Sequence, residues 1–123
     1  MLTLHIGRFV RVRRKEKVLA LPKPVKFVIR RDKLNRRIVY SCTTFIVGLS
    51  CVTDTPSEVS VIQSGEVIIA SRFNKSTETQ TVTFPFHILV QDNLYFKSSD
   101  GIKSAAVAVV QSLKRSSKRR FQQ

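Results

Sequence analysis

Side chains able to do acid–base, nucleophilic or metal chemistry are few in this sequence and poorly spaced for it. The two histidines, His5 and His87, have no Cys, Asp or Glu at metal-ligand spacing. His87 falls in an alternating apolar segment, where an imidazole serves as a structural side chain. The carboxylates stand singly and mostly among turn residues, so no pair is offered for general acid–base work. No GxSxG, P-loop or GxGxxG occurs, and with only 4 glycines no phosphate-cradling loop can be built. The expectation is a protein that is not an enzyme and has no cofactor and no metal site.

Cys42 and Cys51 are the 2 cysteines. In one extended strand they would lie roughly 30 Å apart, beyond disulfide reach, and on opposite faces because nine positions separate them. A turn at Gly48 would bring them closer. They read as buried free thiols, which suits a reducing compartment.

Charge carries more information. Lys and Arg number 22 against 8 Asp and Glu, a net +14. Residues 1–37 hold 13 of the cations with only Glu16 and Asp32, a local +11. Residues 38–113 come to −2, and residues 114–123 to +5. Such a partition points to a polyanion or an acidic protein surface as partner. Three clusters stand out: Arg11, Arg13, Arg14, Lys15 and Lys17; Arg30, Arg31, Lys33, Arg36 and Arg37; and the run from Lys114 to Arg120. The candidate partner-binding residues are Arg11, Arg13, Arg14, Arg30, Arg31, Arg36 and Arg37. Aromatics able to stack on bases are sparse among them (Phe9, Phe27 and Phe121), and there is no Trp. Charge pairing with nucleic acid and with an acidic protein lattice both remain open on these residues.

The elements that position these groups read as strands. Ile38 to Val52 is rich in Ile, Val, Phe, Thr and Tyr. Val59 to Gln63 and Glu66 to Ala70 flank Ser64-Gly65, a two-residue hairpin signal. From Val82, residues Phe84, Phe86, Ile88 and Val90 alternate with Thr83, Pro85, His87 and Leu89, which predicts a buried Phe pair on one face. Pro85 puts this strand at an edge or bends it. Leu94 to Lys97 is a further short strand. Lys103 to Leu113 tolerates a helix through its alanines, but Val107, Val109, Val110 and the Asp-Gly turn before it favour a strand. Upstream, Arg8 to Arg14 and Val25 to Ile29 form short β segments with cationic outward positions, separated by Pro22 and Pro24. The expected core is Phe45, Val47, Val61, Ile69, Val82, Phe84, Phe86, Ile88, Val107 and Val109.

Residues 38–113 resemble the small β-sandwich proteins encoded among the structural genes of tailed bacteriophages, which serve as capsid decoration, cement or fibre-base components. The likeness rests on the opening strand Ile38–Leu49, the hairpin VSVIQSGEVIIASRF, the strand TQTVTFPF and the closing DNLYFKSSDGIKSAAVAVVQSL. It does not account for residues 1–37 or the basic tail. The resemblance implies a non-enzymatic virion structural protein, a homo-oligomer made in the host cytoplasm, whose basic arm lies on an acidic shell surface. No membrane association is expected. The fold expected is all-β, a single antiparallel β-sandwich (jelly-roll-like), with 1–37 as an extended basic N-terminal arm, 38–113 as the core and 114–123 as a basic C-terminal tail. The alternative is a nucleic-acid-binding protein, ribosome-associated or genome-packaging, contacting phosphates through its basic ends.

Overall fold

Where β-branched and aromatic residues alternate with polar ones the backbone extends, and ten strands lie among the described residues. A computed structural model describes residues 3–15 and 17–115. The strands are β1 (Thr3–Val12), β2 (Arg14–Lys15), β3 (Val18–Leu19), β4 (Phe27–Arg31), β5 (Arg37–Thr53), β6 (Ser57–Gln63), β7 (Glu66–Phe73), β8 (Ser76–Leu89), β9 (Leu94–Ser98) and β10 (Ile102–Arg115). The protein is all-β, with no helix among the described residues.

Two antiparallel five-stranded sheets result. The first runs β1-β10-β5-β4, with β8 also pairing β5; the second runs β2-β3-β9-β6-β7. The strand β5, about 55 Å long at some 3.3 Å per residue, organises the first sheet. One of its edges takes β10 along its length, while the other takes β4 at residues 37–41 and β8 at residues 45–53. Inward side chains of both sheets share one core, including Ile46, Leu49, Phe84 and Val107 from the first sheet and Leu19, Val61, Phe73 and Phe96 from the second. Phe84 and Phe96 meet edge-on across the sheets, with centroids 6.2 Å apart and planes at 64°.

Several sequence expectations hold at the level of elements. The Ser64-Gly65 hairpin forms with φ of 52° and 82°, both positive as a type I′ turn requires. Residues 103–113 are strand, within β10.

Facing departs from strict alternation where the ladder slips. Both ladders on β5 skip Val47, a bulge between Ile46 and Gly48. One extra residue reverses the alternation, so Tyr40, Thr44 and Ile46 are buried on one side of it and Leu49, Cys51 and Thr53 on the other. Phe45 and Val47, expected in the core, are therefore only half-buried. The bulge also places Cys42 and Cys51 on one face rather than two: Cys42 sits opposite buried Leu113 and Cys51 opposite buried Ala105. Gly48 marks the bulge, not a turn. A Cβ there would lie 2.6 Å from the Val82 carbonyl oxygen.

A second slip affects β8. Thr83 pairs Gly48, but the next partner, Ile88, pairs Ile46, so residues 84–87 leave the ladder around Pro85. Phe84 stays in the core at 5% exposure, while Phe86 is 44% exposed. The expected buried Phe pair is thus one buried and one exposed ring. Ile69 and Val82 pack against the core while remaining partly exposed.

The division at residue 37 does not survive as a structural boundary. β1 pairs β10 from Thr3 to Val12, β3 pairs β9, and Val12 and Leu19 belong to the core. The segment supplies sheet strands because pairing satisfies its backbone and buries Val12 and Leu19, even though most of its cations stay exposed. Of the C-terminal tail, Lys114 and Arg115 extend β10, and residues 116–123 lie outside the described residues.

Candidate anion-binding cleft

Antiparallel pairing gathers the β1–β2, β5–β6, β7–β8 and β9–β10 connections at one end of the two sheets. They are tied together by hydrogen bonds. The Asp54 N–H donates to the Gly101 carbonyl (2.7 Å), and the Ser57 hydroxyl donates to the Asp100 carbonyl (3.1 Å). The Thr53 hydroxyl donates to the Asn74 carbonyl (2.9 Å). Gly101 has a φ of 107°, a conformation open to glycine, and its α-carbon is packed against Thr55 and Ser57.

Against this framework lies a cleft of about 620 Å³ lined by Arg11, Arg13, Arg14 and Lys103, with Val12 and Leu19 at its floor. Arg14 is held in place: its Nε donates to Ser98 Oγ (3.2 Å), and its guanidinium pairs with the Asp100 carboxylate. Lys103 Nζ lies 3.2 Å from Asp54 Oδ1. Arg11 and Arg13 have no carboxylate within ion-pair distance among the described residues. Among the described residues the cleft thus presents two guanidiniums without a carboxylate partner. A smaller adjoining cleft shares Arg11, Ser104 and Ala105 and adds Ser50 and Thr79.

The other four arginines sit elsewhere. Arg30, Arg31, Arg36 and Arg37 occupy the β4–β5 hairpin, at the opposite end of β5 from the cleft and roughly 40–45 Å along that strand. The hairpin tip is built on Asp32. Its Oδ1 accepts the N–H groups of Leu34 and Arg36, and its Oδ2 accepts Arg36 Nε, each at 2.9 Å. These hydrogen bonds, the Arg36 N–H foremost, hold the Asp32 carboxyl below the usual range. Asn35 takes the left-handed conformation (φ 61°) that closes the loop, and its carbonyl accepts Arg31 Nη1 (2.9 Å). Arg31 stands directly across from Arg37, a like-charge pair that opposes folding slightly unless an anion lies over it. Lys114 and Arg115 join this end, paired with Ser41 and Tyr40.

The seven arginines singled out in the sequence therefore make two sites. Lys103 was missed. It lies in a segment that is acidic overall, and it shares the cleft with Arg11 because β1 pairs β10, with Val12 opposite Ala105. His87 is exposed and packs on Phe45 with centroids 5.9 Å apart. The His5 side chain lies outside the described residues. Among the described residues, no group of three or more His, Cys, Asp or Glu is clustered as metal ligands.

Among the described residues, fold and site define an all-β protein of two antiparallel sheets with a cationic cleft and a cationic hairpin. No known protein family matches the chain, and no curated protein matches its sequence.

Proposed function

We propose that the chain is a non-enzymatic structural protein of a viral particle, of capsid decoration, cement or connector type, folded as a β-sandwich with jelly-roll topology. The observation that carries this reading is the nesting of the strand pairs. β1 pairs β10, β3 pairs β9, β5 pairs β8 and β6 pairs β7, the ladders of one long hairpin closing at Ser64-Gly65. The further pairs β10–β5 and β9–β6 roll that hairpin into two sheets. Such nesting supports a jelly-roll reading, a fold shared by viral capsid domains, lectins and cupins. The likeness of residues 38–113 to phage structural proteins favours the first of these.

Fold alone does not assign function, and the hairpin supplies the contact chemistry. Phe27 and Ile29, 63% and 50% exposed, share a face with Arg31, and across the ladder with Val39 and Arg37. An apolar centre rimmed by arginine suits a protein interface with a neighbouring acidic subunit. The partners proposed are other virion proteins and further copies of this chain, in the virion after synthesis in the host cytoplasm. Sedimentation of the full chain across concentration and salt tests this. Regular oligomers are expected, dissociated by Phe27→Ser with Ile29→Ser while the melting temperature is kept. A chain that stays monomeric from micromolar to millimolar would end the proposal.

A second reading, binding of nucleic acid through phosphates, is favoured by the cleft at the other end.

A further inference from the structure

We infer that the cleft at the β1–β2 corner binds the phosphodiester backbone of single-stranded nucleic acid, with Arg11 and Arg13 on the phosphate oxygens. This deepens the second reading above and is independent of the particle role.

Three observations converge on it. The first is the charge imbalance: Arg14 and Lys103 have carboxylate partners, while Arg11 and Arg13 have none among the described residues. Guanidiniums left over in a concave site call for an anion, and their planar fork matches phosphate. The second is preorganisation. Arg14, anchored on Ser98 and Asp100, fixes one wall without spending its charge on the ligand. The third is the extent and lining of the groove. Through Arg11 it continues into the smaller cleft, where Ser50, Thr79 and Ser104 line the way and no carboxylate side chain does. Small residues and hydroxyls admit a backbone and hydrogen-bond its oxygens. Of the larger apolar groups lining the cleft, Val12 and Leu19 are buried and Ile102 is partly so, leaving little for an acidic peptide's side chains to seat on. A volume near 620 Å³ is that of a small-ligand pocket, so it takes a short stretch of a single strand.

The test is fluorescence anisotropy of the full chain with a labelled 20-nucleotide random-sequence DNA strand between roughly 50 and 300 mM salt. Arg11→Gln with Arg13→Gln should weaken binding at least about tenfold at the low-salt end. It should also flatten the log–log salt slope by about 1.4, two phosphate contacts' worth. Arg30→Gln with Arg37→Gln, which removes the same charge from the hairpin, should cost less than about threefold. Arg11→Lys with Arg13→Lys should keep the wild-type slope, and this pair carries the test should the neutral pair melt early. Equal losses from the cleft and hairpin pairs would overturn the proposal, as would absence of salt-dependent binding. So would competition by poly-glutamate as effective per charge as unlabelled oligonucleotide, which would point to an acidic protein instead. Sedimentation without DNA reads the particle role separately.

Discussion

Replacing Phe84 and Phe86 one at a time by Ala separates two facings of β8 that a period-two pattern treats as one. Phe84 is 5% exposed, packs in the core shared by the two sheets and meets Phe96, itself fully buried, edge-on. Truncating it removes a buried ring and leaves a cavity between the sheets, a loss of about 3–5 kcal/mol. Part of that, some 0.5–1.5 kcal/mol, is the aromatic pair itself. Phe86 is 44% exposed and leaves no enclosed cavity, so about half the transfer term is lost, roughly 1–1.5 kcal/mol. Urea unfolding followed by circular dichroism, with a common slope for the variants, gives both values. In a domain of this size the difference corresponds to roughly 10 °C in melting temperature. Equal losses, or a loss below about 1 kcal/mol for Phe84→Ala, would refute the slip between Thr83 and Ile88 and with it the placement of the core.

Two further substitution and reactivity experiments follow from the same strands. Gly48→Ala drives a methyl group to 2.6 Å from the Val82 carbonyl, a backbone atom that cannot swing aside. It should cost about 2 kcal/mol or more in a thermal melt, whereas Gly7→Ala, with nothing nearer than 3.9 Å, should be close to neutral. Burial pushes the Cys51 thiol up to about 11, so at pH 8 it is almost wholly protonated as well as enclosed. With a disulfide-exchange reagent Cys42, half-buried, should react first and Cys51 at a rate that tracks unfolding. Two thiols reacting together would contradict the burial of Cys51.

The sequence by itself determined the class of structure. Its β-branched and aromatic segments, the Ser64-Gly65 turn and the Asp-Gly turn before β10 are local signals, and local sterics suffice to make strands and a type I′ hairpin of them. Its charge partition likewise named the arginines that line the two cationic sites. What only the tertiary structure decided is which of these residues meet. Bulges at Val47 and around Pro85 arise from how β5 must pair β10 on one edge and β8 on the other, and each reverses a facing that strict alternation assigns. The cationic N-terminal segment entered the sheets because pairing with β10 and β9 satisfies its backbone and buries Val12 and Leu19, a gain visible only once strands distant in sequence are side by side. The same long-range pairing brought Arg11 and Lys103 to one cleft and sent Arg30 and Arg37 to the far end of β5. Net charge adds up along a chain, but a binding site depends on register across the sheet.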